Sequence, residues 1–333
     1  MSTSKANPEL PETLMSAMNF FNEGDNAFDL LVKRRWPDGV VKCPTCDSAT
    51  VRFIPARKLW ECCNKHPRRQ FSVKVGTIFE DSPISLAKWM AAFWLISNCK
   101  NGVSSYEIHR SLGITQKTGW FMLQRIRLAL QSGTIVRDKL KGLVEVDESY
   151  IGGLARNMHK DVKERKVKGR GPGSGSHKTA VQGLLQRHIG KCSKVVAEVI
   201  LENDGATLKD NVRKYVLEGT EVHTDAHRSY CGLSEHFIHE VIDHAEAYAR
   251  DGVTTNGLEN FWSLLKRTLR GTYVSVEPFH LFRYLSEQVF RFNERKHEAG
   301  DQGRFLLALE GIFGKRLTYK KLVGDDAAGL LAA

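Results

Sequence analysis

Two sets of residues in this 333-residue chain have types and spacings that could do chemistry. The first is built on sulfur and nitrogen. Cys43-Pro-Thr-Cys46 is a CxxC knuckle, followed after fifteen residues by Cys62-Cys63 and then His66. Tetrahedral zinc takes four such donors converging from two turns, and paired knuckles supply that geometry. A redox CxxC or a set of unliganded thiols is the other reading, but a second Cys/His knuckle at this distance favours the metal. Cys43, Cys46, Cys62 and His66 are therefore the expected ligands of one structural zinc, with Cys63 the rival to Cys62. The remaining cysteines, Cys99, Cys192 and Cys231, are scattered and read as inert thiols.

The second set is built on oxygen. LVEVDESYIGG places Asp147 near the end of an apolar strand, HTDAHRSY places Asp225 after another, and NGLENFWSLLKRTLRG places Glu259 on a helix. Carboxylates delivered from separate strands and a helix can hold two magnesium or manganese ions about 3.5–4 Å apart, the arrangement that serves displacement at phosphorus. Glu145 and Glu148 compete with Asp147, and Glu145 shares its strand face by the two-residue period. Spacing alone does not choose between them; if Asp147 is the acid that acts, Glu145→Gln and Glu148→Gln should retain most activity.

The elements that must position these residues follow from the surrounding pattern. Leu258, Phe261, Trp262, Leu265 and Leu269 recur at helical spacing and predict an amphipathic helix over 256–270. Glu259, Ser263, Lys266 and Arg270 line a neighbouring face of it, and the seven residues from Glu259 to Lys266 put both on one side. Strands are expected over 143–150, 179–185, 194–201 and 221–224, and helices over 207–217 and 278–293. Ser104 and Glu107 have capping-box spacing, Leu112-Gly-Ile114 is a tight turn, and Thr115 can cap a second helix carrying Lys117, Arg125 and Arg127. Two helices about a glycine turn with a basic second member fit a DNA-reading helix-turn-helix, or an ordinary helical corner. The segment 156–178 is basic, glycine-rich and without apolar periodicity, so a loop is expected there. Residues 9–36 read as one or two short helices, and the last thirty or so give a weak signal.

Composition bounds the class. Lys plus Arg is 49 against 38 Asp plus Glu, a formal charge of +11, and 41% of residues are hydrophobic. That is ample for real cores, excludes a disordered tail protein, and makes polyanions natural partners. The longest uninterrupted apolar run, Trp89 to Ile96, is eight residues, too short to span a bilayer. No secretion signal is evident at the N-terminus, so a soluble cytoplasmic protein with no membrane partner is expected.

The series CPTC, FSVKVGTIFEDS, GVSSYEIHRSLGITQKTGWFMLQRIR, VEVDESYIGG, VHTDAHRSY, NGLENFWSLLKRTLRGTY and RFNER, running from about residue 15 to 320, resembles the ISXO-like DDE transposases of bacterial insertion sequences, in the group with an N-terminal zinc ribbon. The resemblance implies an α/β RNase H-like catalytic domain (138–300) behind a helical segment (1–38), a zinc ribbon (39–80) and a helix-turn-helix region (83–132), with 301–333 as a tail. It selects Asp147, Asp225 and Glu259 as the catalytic triad holding two magnesium or manganese ions. Thirty-three residues separate the last two acids, a separation typical of the class. It further implies phosphate contacts from Lys266, Arg267, Arg270 and the 156–178 loop, and recognition of terminal inverted repeats through the ribbon and the helix carrying Lys117 and Arg125. Double-stranded DNA, at the repeats and at the target, is the implied partner of a homo-oligomeric complex acting at the nucleoid. His227 is equally compatible with a supporting role at the site and with surface packing. The rival class is a silent, DNA-binding relative that has kept recognition without chemistry. A structure-specific nuclease of the same fold is a third reading, disfavoured by the two recognition modules.

Overall fold

The structure is a computed structural model describing residues 10–134, 138–153, 159–160, 178–187, 192–200, 204–225, 228–242 and 255–324. The chain divides into two compact units, 1–133 with 297–333, and 134–296.

In the first unit, α1 (Leu14–Asn22) and α2 (Asn26–Arg35) precede a three-stranded antiparallel sheet of β1 (Val51–Ile54), β2 (Leu59–Cys62) and β3 (Gln70–Ser72). Thr13 and Ser16 close a capping box on α1. The sheet is too small to have a core of its own; Trp60 on β2 stacks against Phe28 of α2 and Phe71 of β3 and meets Trp36 edge-on. α3 (Leu86–Asn98) is buried over most of its surface, with Trp89, Phe93 and Trp94 each nearly inaccessible. Its length of 13 residues and its all-round burial mark it as the centre of this unit.

Residues 301–323 are not a tail. A helix at Gly300–Glu310 lays Phe305 between Phe21 and Trp94, with ring centroids 5.3 Å from each. Residues beyond it pair with the segment after the ribbon, Ile78 N–H donating to the Ile312 carbonyl and Gly314 N–H to that of Gly76. The weak periodicity of this stretch reflects a helix that only completes a core begun 280 residues earlier.

The second unit is a five-stranded mixed sheet in the order β6-β5-β4-β7-β8, from β4 (Leu143–Ile151), β5 (Thr179–Gln186), β6 (Lys194–Ile200), β7 (Glu221–Asp225) and β8 (Ile238–Ile242). β4, β5 and β6 are an antiparallel meander, while β7 runs parallel to β4 and β8 parallel to β7. On one face Val144, Val146, Leu184 and Val196 pack against Leu208 and Val212 of the Gly205–Tyr215 helix. The opposite face carries Val181, Leu185 and Val195, covered by the Asn256–Thr268 and Leu281–Asn293 helices through Leu258, Phe261, Trp262, Leu285 and Phe292. β8 was not expected: Ile238 and Val241 are exposed at this edge, so the strand lacks the alternating signal of a half-buried one.

Glu145 fixes where the Asn256–Thr268 helix lands on β4. Thr255 at its N-cap makes no side-chain capping bond. The fully buried Glu145 carboxylate instead accepts the Leu258 N–H at 2.9 Å and the Arg187 Nε–H at 2.5 Å. A negative charge here also complements the positive end of the helix dipole. A Cβ on Gly257 would lie 2.9 Å from both carboxylate oxygens, so only glycine lets the first turn come this close. One turn further on, Trp262 rests on Gly183, where a Cβ would meet its ring at 2.6 Å.

Two substitutions test this docking. Glu145→Ala leaves the Arg187 guanidinium without its carboxylate and should lower stability by about 3 kcal/mol. Gly257→Ala should cost roughly 1–3 kcal/mol by forcing the helix off the sheet. Urea melts of both variants are the check. Wild-type stability for either would mean that the apolar stripe alone holds the helix.

Candidate functional site

Four donor atoms, one each from Cys43, Cys46, Cys62 and His66, lie within 4.8 Å of one another. The knuckle turn is closed by Asp47 N–H to the Cys43 carbonyl and Cys43 N–H to that of Ser48, both at 2.9 Å. β2 delivers Cys62 from the opposite side. His66 Nδ1 lies 2.7 Å from the Pro67 carbonyl, which sets that nitrogen as the donor and leaves Nε2 as the free lone pair, 3.4 Å from the Cys43 sulfur. The Cys46 and Cys62 sulfurs are 3.6 Å apart, close to the tetrahedral edge of about 3.8 Å that Zn–S bonds near 2.3 Å require. Burial opposes ionisation of Cys43, yet the N–H groups of Thr45 and Cys46 and the neighbouring thiols bring it down to about 7. Burial pushes Cys62 up to about 11 against the Asn64 N–H, with the Cys46 and Cys43 thiols adding to the rise. Neighbouring thiols that pull each other's ionisation apart are a donor set suited to a cation. Cys63 is exposed and lies outside the cluster, so Cys62 is the one of the two adjacent cysteines whose sulfur joins the other donors.

The expected capping box at Ser104 and Glu107 forms, and α4 (Ser105–Leu112) ends on Gly113 in the left-handed region at φ 58°. α5 (Gln116–Thr134) begins where Thr115 accepts the Thr118 N–H, and Gly119 lets it approach the Ser105 carbonyl. Lys117 is exposed at the start of α5, its ammonium 4.7 Å from the Tyr319 ring centre. Arg125 requires a correction. It is 6% exposed, and its guanidinium donates to the carbonyls of Ile78, Glu80 and Leu317. It joins three segments of the first unit and does not reach for DNA. Arg127 is buried as well.

In the second unit the acids come from β4, β7 and the Asn256–Thr268 helix. The parallel register pairs Val144 with Val222 and Glu145 with His223. Continued by two residues, that register puts Asp147 level with Asp225, on the same side of adjacent strands. Asp147 Oδ2 accepts the Trp262 indole N–H at 2.9 Å and Oδ1 the Glu148 N–H at 2.8 Å. Burial pushes the Asp147 carboxyl up to about 6; those two donors oppose the shift, and the charges of Asp225 and Glu259 add to it. Asp147 is thus within electrostatic reach of Asp225, of Glu259 and of Lys266.

Glu145 is not among them, because its carboxylate is committed to Leu258 and Arg187. It is a structural group: buried, it holds the first turn of the helix and pairs with Arg187. Glu148 is held up to about 8, first by burial and then by Asp147 and Asp225, and its buried Oε1 has no hydrogen-bond partner. The raised affinity of Glu148 for its proton could not be read from the sequence, because strand alternation points it to the other face of β4.

Burial lowers the Lys266 ammonium, the Asp147 charge opposes this, and Arg270 and Lys178 reinforce it. Ser263, Lys266, Arg267, Arg270 and Gly271 line an open cleft along the helix. Of the 156–178 loop only 159, 160 and 178 fall within the described residues, and His227 lies outside them. No helix among the described residues is long and apolar enough to cross a membrane.

The described residues thus hold a zinc-ribbon-like module and a mixed α/β domain that gathers carboxylates beside cations. Comparison with known proteins finds a family match for each. Residues 139–293 match the ISXO2-like transposase domain and residues 23–66 the transposase zinc-ribbon domain. The chain thus carries an ISXO2-like transposase domain behind a transposase zinc-ribbon domain. It is 28% identical over 289 residues to an uncharacterized protein in transposable element ISH50 of Halobacterium salinarum, covering 84% of this chain and 95% of that one.

Two outcomes are expected. Purified protein should carry one zinc per chain by elemental analysis, lost in Cys43→Ser and Cys62→Ser and kept in Cys63→Ser. For the acids, Asp147 and Glu148 hold their protons more tightly folded than unfolded. The metal-free protein should therefore lose stability as pH rises through about 6 and on through about 8. Magnesium favours the ionised carboxylates, so the rise in melting temperature it gives should grow over the same window. A magnesium effect independent of pH would place binding elsewhere.

Proposed function

We propose that this chain is the active transposase of an insertion sequence, which binds the terminal inverted repeats of its element, cuts there and joins the freed ends to target DNA. The single observation that carries this reading is the placement of Asp147: its carboxyl feels Asp225 and Glu259 and is held by Trp262 from the same helix as Glu259. The strand order β6-β5-β4-β7-β8, an antiparallel meander whose first strand, β4, is extended on its other side by the parallel strands β7 and β8, supports the RNase H-like reading of this unit.

Asp147, Asp225 and Glu259 form an all-oxygen, anionic donor set, which fits hard divalent ions. Two magnesium or manganese ions, when bound, would stabilise charge on the attacking and leaving oxygens. The first two acids approach from adjacent strands and the third closes the site from the helix. Lys266, Arg267 and Arg270, with Lys178 beside them, bind phosphates along the cleft. The ribbon, with its structural zinc, and the α4–turn–α5 pair bearing Lys117 supply recognition of the repeats. Hydrolysis of one phosphodiester at the element's end leaves a 3′-hydroxyl. That hydroxyl then attacks a target phosphodiester, its new P–O bond replacing the one that breaks, with no external energy source. Both ends must be held together, so the working complex is a homo-oligomer on DNA, acting in the cytoplasm at the nucleoid.

Glu259→Gln keeps the length of the side chain and leaves the buried stripe untouched, so the helix should persist. With Asp147→Asn and Asp225→Asn it should bind terminal-repeat DNA almost as the wild type does, while cleavage and joining fall to background. Lys266→Ala should weaken binding to all sequences alike and flatten the salt dependence by about one unit of log K per log salt. A wild type that binds its ends but neither cuts nor joins them with magnesium or manganese would establish the silent DNA-binding protein instead.

A further inference from the structure

Immediately after the Asn256–Thr268 helix the backbone widens into a turn of i→i+5 bonding over Leu269–Tyr273, and then breaks at Val274. Val274 has φ 62° and ψ −55°, and the Ser275 N–H donates to the Tyr273 carbonyl at 2.6 Å across it. This is a γ-turn of the rare kind, with positive φ at its centre. A β-branched residue in that region is a conformational outlier. Burial does not compensate for it, because Val274 is 81% accessible, the most exposed large apolar side chain among the described residues.

The turn is clamped from both sides. Tyr273 gives its hydroxyl to Glu287 and meets the Tyr284 ring edge-on at 4.8 Å, and both Tyr273 and Val276 pack against the buried cluster under the helix. The clamp holds a strained backbone in the one arrangement that projects an isopropyl group into solvent. Strain kept in place by its surroundings and unrewarded within the fold points to a contact made with something else.

The position of the turn names that contact. It ends the helix whose outer face carries Lys266, Arg267 and Arg270 along an open cleft. Phosphates and sugars lie against the cations, and an apolar side chain gains nothing from either. The apolar surfaces of a duplex are the faces of its bases and the thymine methyl groups, reached by pressing into a groove or between base steps. We propose that Val274 is an apolar wedge that inserts against the bases of duplex DNA held on this cationic face, unstacking one step. This rests on the reading of that face as a phosphate track.

The test uses the full chain and duplexes of the element's terminal sequence, each carrying 2-aminopurine at one position in turn. Wild-type protein should raise fluorescence at one position or two adjacent ones. Val274→Gly should abolish that rise and weaken binding roughly tenfold, while its melting temperature stays level or increases, since glycine adopts positive φ freely. Val274→Phe should keep the rise. Salt-dependent binding with no responsive position, or a rise that persists in Val274→Gly, overturns the wedge and leaves the phosphate track standing. An altered molecular mass of Val274→Gly by light scattering, with the DNA signals unchanged, assigns the tip to a protein contact and also overturns it. If Lys266→Ala and Arg270→Ala leave the salt dependence unchanged, the track itself is wrong and the wedge falls with it.

Discussion

The buried Glu145 carboxylate is the contact on which the candidate site of the α/β unit depends. A helix laid across a sheet by an apolar stripe can slide and rotate, since hydrophobic contact is non-directional. Glu145 removes that freedom by taking a backbone N–H of the helix's first turn, while Arg187 neutralises the charge and Gly257 permits the approach. The geometry of Glu259 against Asp147 then follows from two short covalent paths, two residues along β4 and one along the helix. A buried ion pair is weak evidence for net stability, but it specifies one arrangement among many of similar apolar area.

The two donor clusters show one electrostatic logic in two chemistries. In the ribbon, neighbouring thiols split, one driven down and one driven up. In the α/β unit, two acids are driven up together by burial and by like charge. In each cluster the later protons are the hard ones to remove, and a cation of matching softness would reverse that: zinc for sulfur and imidazole, a hard divalent ion for carboxylate oxygen. Perturbed acids gathered beside further carboxylates are where function concentrates, at the expense of the fold that holds them.

Much of this was legible in the sequence because it is periodic or local. The Leu258/Phe261/Trp262/Leu265 stripe, the capping box at Ser104 and the knuckles around Cys43 and Cys62 each depend on spacing along one element. What was not legible depends on what lies across from a residue. Glu145 and Asp147 share a strand face, and only the helix opposite distinguishes a docking carboxylate from one that faces the other acids. Arg125 sits on a basic helix, yet three carbonyls from distant segments draw it inward. The Gly300–Glu310 helix has little periodicity of its own because Phe21 and Trp94 complete its environment. β8 lies at a sheet edge with apolar residues outward, against the pattern that would reveal it.

Within the Asn256–Thr268 helix the division of labour follows from where it is held. Its fixed points are the Leu258 N–H on Glu145 and the Trp262 indole on Asp147 and Gly183, four residues apart in sequence and so about one turn. Glu259 lies between them, so its backbone has no freedom that the sheet does not also have. Lys266, Arg267 and Arg270 lie beyond the second point, on the outer face, where the helix widens before the strained turn at Val274. Metal binding needs ligands placed to within a fraction of an ångström, whereas phosphate contact tolerates long, mobile cations on a surface. One helix meets both demands because its first half is fastened to β4 at two points and its second half is not.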